Sequence, residues 1–200
     1  MVRYNVFIAG VGGQGLLTIG RILGSAAIEA GQDVTVAEVH GLSQRGGTLN
    51  VQVRIGRGEA PLIPRGGADL YIAMEALEAV RYSEYIGLNT NVVINKFIWP
   101  PPLSKYPSLE HIMSKFNEKN IKVYLVDAND ISKRIIGTII SANIAIIGYS
   151  YAIDPGLQKL IDYRHLEKSL ELIFRGKTLE LNKKILKISY EEGLRTIGEL

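Results

Sequence analysis

The chain of 200 residues predicts an α/β fold: a three-layer α/β/α arrangement with a Rossmann-like mixed sheet and C-terminal helices. Three observations carry that prediction. Short apolar runs alternate with segments of helical spacing over the first 128 or so residues. One segment, GTLNVQVRIG at 47–56, alternates apolar and polar residues. From residue 129 onward the pattern is helical. The length suits one domain over 1–200, with a helical tail over about 157–200.

The elements follow in order. Residues 4–9 are a short apolar run ending at glycine, as a buried parallel strand ends. Residues 15–30 carry Leu16, Ile19, Leu23, Ala27 and Ala30 at helical spacing, and Gly31 suits a helix terminus. DVTVAEV at 33–39 is a second strand. The alternating segment 47–56 puts Leu49, Val51, Val53 and Ile55 on one face, which predicts a half-buried, antiparallel strand. RGEAPLIPRGGA at 57–68 is broken by proline and glycine and is read as loop. DLYIAM at 69–74 is a strand, followed by a helix from Glu75 to about Glu84. TNVVIN at 90–95 is another strand. The loop 97–108 holds four of the seven prolines and reads as a lid or a partner contact. Residues 108–118 are helix, IKVYLVDA is the last strand, and two amphipathic stretches at 157–174 and 178–195 close the chain.

Composition narrows the function. Twenty-three basic and 20 acidic residues leave a formal charge of +3 with no polybasic stripe, so nucleic acid is not the expected partner. There is no cysteine. That excludes disulfides, a thiolate nucleophile, thiolate zinc sites and an iron–sulfur cluster on cysteine ligands. MVRYNVFIAG runs straight into a strand without the pattern of a signal peptide. The apolar run near 135–153 carries Ser141, Asn143, Gly148 and Ser150, which makes it a buried helix rather than a membrane span. A cytoplasmic location away from membranes is the expectation.

Two glycine-rich loops stand where α/β proteins place their sites, at strand ends. The first is GVGGQG, with Gly10, Gly12 and Gly15 on the G-x-G-x-x-G spacing and Gly13 and Gln14 between. Glycines there free the backbone to approach an anion, and the helix that follows offers unpaired N–H groups. With Glu38 near the end of the second strand to take a ribose hydroxyl, a stand-alone NAD(P)-dependent oxidoreductase is one reading. A tight turn without ligand is another. The second loop is HGLSQRGG, residues 40–47. His40 suits proton transfer, Ser43 and Gln44 are donors, Arg45 can clamp a carboxylate or phosphate in bidentate fashion, and Gly41, Gly46 and Gly47 keep the backbone open. A polar surface turn is the plainer alternative. The stretch runs into the alternating strand, not into a helix, and so departs from dinucleotide topology.

Three single residues complete the candidates. Arg54 lies on the alternating strand and faces either an anion, a partner carboxylate or solvent. Glu75 is either a site residue or a charge favoured by a helix start. Asn143 sits among isoleucines, where an unpaired amide is costly, so it either caps a neighbouring loop or faces the site. Ser141, Ala145, Gly148 and Ala152 around it form a stripe that permits close packing.

The ordered pair GVGGQG and AEVHGLSQRGG, then VQVRIG, then ADLYIAMEALEAVR, resembles the small γ-type subunit or domain of the ferredoxin-dependent 2-oxoacid oxidoreductases. The similarity covers nearly the whole chain. It is strongest to the β subunit of the indolepyruvate enzymes, with the γ subunit of pyruvate-type enzymes next. What the resemblance implies is a heteromeric enzyme that converts an aryl 2-oxoacid, CoA and oxidised ferredoxin into acyl-CoA, carbon dioxide and reduced ferredoxin. It implies thiamine diphosphate, magnesium and iron–sulfur clusters on a larger cysteine-rich partner subunit, through which ferredoxin is reached. It implies CoA as co-substrate and no cofactor held by this chain alone. The absence of cysteine and of a GDG stretch agrees with that division of labour. By position, the resemblance places His40 and Arg45 in catalysis. It places Gly10, Gly12, Gly13, Gln14, Gly15, Gly41, Ser43, Gln44, Gly46, Gly47 and Asn143 in binding. A non-catalytic module that kept the glycine loops is the remaining alternative.

Overall fold

The computed structural model describes residues 3–41, 47–58, 60–100 and 103–198. Six strands form one sheet: β1 (Tyr4–Val11), β2 (Val34–His40), β3 (Thr48–Ile55), β4 (Ala68–Ala73), β5 (Ile86–Asn95) and β6 (Val123–Val126). Their order across the sheet is β2-β3-β1-β4-β5-β6. Strands β1, β4, β5 and β6 run parallel, while β3 is antiparallel to both β1 and β2. The mixed sheet therefore has one reversed strand, the one whose alternation set it apart.

Helices cover both faces. Helix α1 (Leu16–Glu29), α4 (Ala128–Ile136), α5 (Ala142–Ile153), α7 (Tyr163–Ile173) and α8 (Gly176–Ile197) pack on the side of Val6, Ile8, Val51, Ile72 and Val93. Helix α2 (Ala76–Arg81) and α3 (Leu109–Asn117) pack on the side of Phe7, Tyr71, Val92 and Ile94. A one-turn helix α6 (Pro155–Gln158) lies between α5 and α7. Neighbouring β1 residues thus belong to opposite cores, which is why its apolar run has no polar alternation. No helix among the described residues is long and apolar enough to cross a membrane.

Strand β3 departs from expectation. It is covered on both faces, with Asn50 and Gln52 as buried as the valines between them. The polar face has no water to meet because the segment 60–63 lies over it. Gln52 Oε1 accepts from the Ile63 N–H at 2.6 Å, and Gln52 Nε2 donates to Asn50 Oδ1 at 3.0 Å. Arg54 donates to the carbonyls of Ala60 and Leu62 at 2.8 and 2.7 Å and to Asn5 Oδ1 at 2.9 Å. An irregular segment against a sheet needs side-chain partners for its backbone, and this face supplies them. Of the readings for Arg54, the anion site and the free surface both give way to this role.

The apolar run near 135–153 is two helices, not one. Gly137 ends α4 with φ +78°, a left-handed conformation that glycine adopts without a Cβ clash. Ser132 Oγ then ties the turn, donating to the Thr138 carbonyl at 2.6 Å and accepting from the Ser141 N–H at 3.2 Å. Every residue of α5 is buried. Its tightest neighbour is α8: a Cβ on Gly148 would stand 2.3 Å from the Leu186 carbonyl, and one on Gly193 would stand 2.5 Å from Ala152 Cβ. The small-residue stripe is a packing seam.

Candidate functional site

The parallel strands β1, β4, β5 and β6 end on one edge of the sheet, and the reversed strand β3 begins there. Val11 at the end of β1 pairs with Thr48 at the start of β3. This register brings Gly47, at the end of the second loop, beside the first. The Gly12 N–H donates to the Gly47 carbonyl at 3.0 Å. Two segments 35 residues apart in sequence are thereby joined by one backbone bond.

Each glycine of the first loop has its own reason. A Cβ on Gly10 would lie 2.7 Å from Gln14 Oε1 and 2.9 Å from Leu16 Cδ1, so Gly10 permits the loop to fold back on itself. Gly13 has φ +102° and faces open space. Gly15 has φ +77°, and a Cβ there would meet Asn143 Nδ2 at 2.5 Å. Gln14 is a brace: its Oε1 accepts from the Val11 N–H at 2.8 Å and its Nε2 donates to the Met74 carbonyl at 3.1 Å. It pins the loop across to the end of β4.

Beside the loop lies a cavity of about 810 Å³. Gly13, Gln14, Gly15 and Thr18 form one wall, Met74, Phe97 and Trp99 a second, and Ile139, Ile140 and Ala142 a third. Asn129, Asn143 and Phe174 complete it with few others. Helices α1 and α5 both begin at this cavity. Neither has a side chain capping its N-terminus, and neither carries an acidic residue in its first turn. At α5 the Ile144 N–H is taken by Asn143 Oδ1 at 3.0 Å, so it is the start of α1 that is left for an anion. The opposite character comes from the rings of Phe97 and Trp99, 6.2 Å apart and tilted by 59°, and from Ile139 and Ile140. A ligand with a charged part and a flat apolar part suits such walls.

Two buried polar residues support the rim from below. Asn95, fully buried at the end of β5, donates to the Met74 carbonyl at 3.2 Å and to Asn129 Oδ1 at 3.2 Å, and accepts from the Ala128 N–H at 3.0 Å. Glu75, also fully buried, caps α2 by accepting from the Glu78 N–H at 2.9 Å. It holds structure and does not reach the cavity itself.

The candidates from sequence divide accordingly. Gly13, Gln14, Gly15 and Asn143 line the cavity; Gly12 and Gly47 link the loops; Gly10 permits the fold of the first loop. Asn143 faces the site, with Nδ2 at a long 3.5 Å from the Gly15 carbonyl. His40 ends the edge strand β2, its side chain more than half exposed, 3.4 Å from the Glu38 carboxylate. Such an exposed pair contributes between nothing and about 1 kcal/mol. Gly41 closes the hairpin through its N–H to the Thr48 carbonyl at 3.2 Å. Neither His40 nor Gly41 lines the cavity. Ser43, Gln44, Arg45 and Gly46 lie outside the described residues. Glu38 is separated from β1 by the whole of β3, a strand further from the glycine loop than a dinucleotide site requires.

Sequence reasoning missed Phe97, Trp99, Asn129, Ile139 and Ile140. Only the proline-rich loop hinted at the first two. For Ile139 and Ile140 the signal was Gly137, which interrupts an apolar run that otherwise reads as one helix. Among the described residues no cluster of three or more His, Asp or Glu is placed to hold a metal.

The sequence matches the family of pyruvate ferredoxin/flavodoxin oxidoreductases over residues 5–192. It is 37% identical to the indolepyruvate oxidoreductase subunit IorB of Archaeoglobus fulgidus, over 96% of both chains. To the subunit of the same name from Pyrococcus horikoshii it is 34% identical, over 100% of this chain and 98% of the relative. In three dimensions it is similar to the 2-oxoglutarate:ferredoxin oxidoreductase of Magnetococcus marinus, a structure with 2-oxoglutarate, coenzyme A and succinyl-CoA bound. The TM-score is 0.74 at 16% identity, over 98% of this chain and 32% of that one.

Proposed function

The chain belongs to the pyruvate ferredoxin/flavodoxin oxidoreductase family, and from that premise we infer how its own residues serve the reaction. It is a subunit of a heteromeric ferredoxin-dependent 2-oxoacid oxidoreductase of the indolepyruvate type. The overall change is oxidative decarboxylation: an aryl 2-oxoacid loses carbon dioxide, its acyl group passes to the thiol of CoA, and the electrons pass to ferredoxin. We assign thiamine diphosphate, magnesium and the iron–sulfur clusters to a larger, cysteine-rich partner subunit. This chain has no cysteine, so it cannot hold the clusters on thiolate ligands. That chemistry belongs to the cofactors, and this subunit contributes binding and orientation.

The observation that carries the reading is the cavity at the common strand edge. The uncapped start of α1 suits the phosphates of CoA or the carboxylate of the 2-oxoacid, and the rings suit adenine or the aryl group. Holding one reactant there, with the partner subunit closing the open side, turns a bimolecular encounter into an oriented one. Gly13, which faces open space at the cavity wall, lets the ligand approach the backbone. His40 and Arg45, on the adjoining loop, would act at the face turned to the partner. A cytoplasmic site of action suits ferredoxin chemistry.

The test is calorimetry on the full chain with CoA and with NADH, followed by turnover after mixing with the partner subunit. CoA binding or partner-dependent turnover is expected, without NADH binding. Tight, stoichiometric NADH binding would overturn the assignment in favour of a nicotinamide enzyme. Arg45→Ala should leave the complex assembled while lowering turnover or raising the KM for CoA, and Arg45→Lys should restore it only partly, because an ammonium lacks the planar fork. Unaltered kinetics in an assembled Arg45→Ala complex would remove HGLSQRGG from the site.

A further inference from the structure

We propose that Glu75 is a positioning residue: its buried carboxylate holds the backbone that carries Phe97 and Trp99, and so sets the aromatic wall against which a planar ring of the ligand stacks. The ligand half of this rests on the cavity reading above. The positioning half rests on the contacts alone.

Glu75 follows β4 directly and is completely buried, which is rare for a carboxylate unless its oxygens are satisfied. One oxygen caps α2 at the Glu78 N–H. The other accepts from the Trp99 N–H at 3.0 Å. Beside it, the Ala76 N–H donates to the Phe97 carbonyl at 2.9 Å. Phe97 and Trp99 are therefore both held by backbone bonds to the turn that Glu75 occupies. A third group acts from further along: the Tyr106 phenol feels the same carboxylate. Burial and then the neighbouring Glu75 charge push Tyr106 up to about 12.

The segment needs such an anchor. Four prolines between 97 and 108 remove backbone donors, and no strand or helix of the sheet takes up Trp99. Trp99 is nevertheless in the cavity wall with about half of its surface exposed, a large ring free on one side. Bonds to an ionised acceptor are stronger than neutral ones, so a carboxylate is the effective choice. A glutamine could not replace it. Its single amide oxygen can serve the Glu78 N–H or the Trp99 N–H, and its NH2 would face the other donor.

Trp99 is the only tryptophan of the chain, so its emission reports on this wall directly. The experiment compares wild type, Glu75→Gln and Tyr106→Phe. Trp99 fluorescence is read on the full chain, alone and with CoA or indolepyruvate added. Steady-state kinetics are read on the assembled enzyme. We expect Glu75→Gln to shift the emission to longer wavelength, to raise the KM for one ligand about tenfold, and to change kcat by less than about twofold. Tyr106→Phe removes the phenol that interacts with this carboxylate, at a partly exposed position, and buries no new group. It should act in the same direction, with about a threefold rise in KM, and it decides the matter if Glu75→Gln does not fold. A rise confined to CoA identifies the ring as adenine; a rise confined to the 2-oxoacid identifies the aryl group. Emission and both KM values unchanged in the folded variants would overturn the proposal, as would a loss of kcat with KM untouched. A wild-type emission that neither ligand alters would instead overturn the cavity reading, and the emission shift would still judge Glu75.

Discussion

Gly15 shows how narrow the choice of residue is at this site. Its φ of +77° disfavours any side chain, and the position of a Cβ is already taken by the Asn143 amide, 2.5 Å away. Gly15→Ala should therefore cost about 1–3 kcal/mol, seen as a lower urea midpoint, and should weaken ligand binding by displacing Asn143. In the double variant with Asn143→Ala the steric part should disappear, so the two effects should fall short of additive. A fully additive cycle would show that the cost is all in the backbone angle. The importance of the loop was legible, because glycines at that spacing after an apolar run have few other uses. The distinct duties were not: Gly10 makes room for Gln14, Gly13 faces open space, and Gly15 makes room for a residue 128 positions away. The resemblance placed Gln14 in binding, yet both ends of its amide are spent on Val11 and Met74. Side-chain partners so distant in sequence leave no local pattern.

At the scale of elements, the helix pair α5–α8 carries the heaviest constraint. Gly148 faces Ser189 and the Leu186 backbone so closely that a methyl group has nowhere to go. Gly148→Ala should destabilise the chain by at least about 1–3 kcal/mol through overpacking, measurable as a lower midpoint of thermal or urea unfolding. Gly137→Ala, by contrast, meets no neighbour within 4 Å, so its cost should be confined to the left-handed backbone, about 1–2 kcal/mol. The order of strands and helices was readable because hydrophobic period is local. What failed was the reading of β3 as half-buried and of 135–153 as one helix. Alternation reports which residues are polar, not whether water or another segment lies over them. An apolar run reports burial of its helices but hides the turn at Gly137 that sets Ile139 and Ile140 at the cavity.

For the whole molecule, the absence of cysteine and the open cavity lead to one expectation: the purified chain is colourless and without turnover, and activity appears on adding the larger subunit. Copurification from native cells, followed by assay of the separated and recombined subunits, checks this. Turnover by the separated chain would defeat it. The sequence by itself determined the fold class, the two glycine loops, the motif order that carries the family resemblance, and the lack of thiolate ligands for a cluster. Those follow from composition, period and motif order, all of which are properties of the chain as written. Only the tertiary structure decided the strand order, which reverses β3, lays Gly47 against the first glycine loop and leaves Glu38 too far away for a dinucleotide site. It also decided the cavity, because Trp99, Asn129, Ile140 and Asn143 become neighbours through folding, and their buried supports, Glu75 and Asn95, act only across that folded distance.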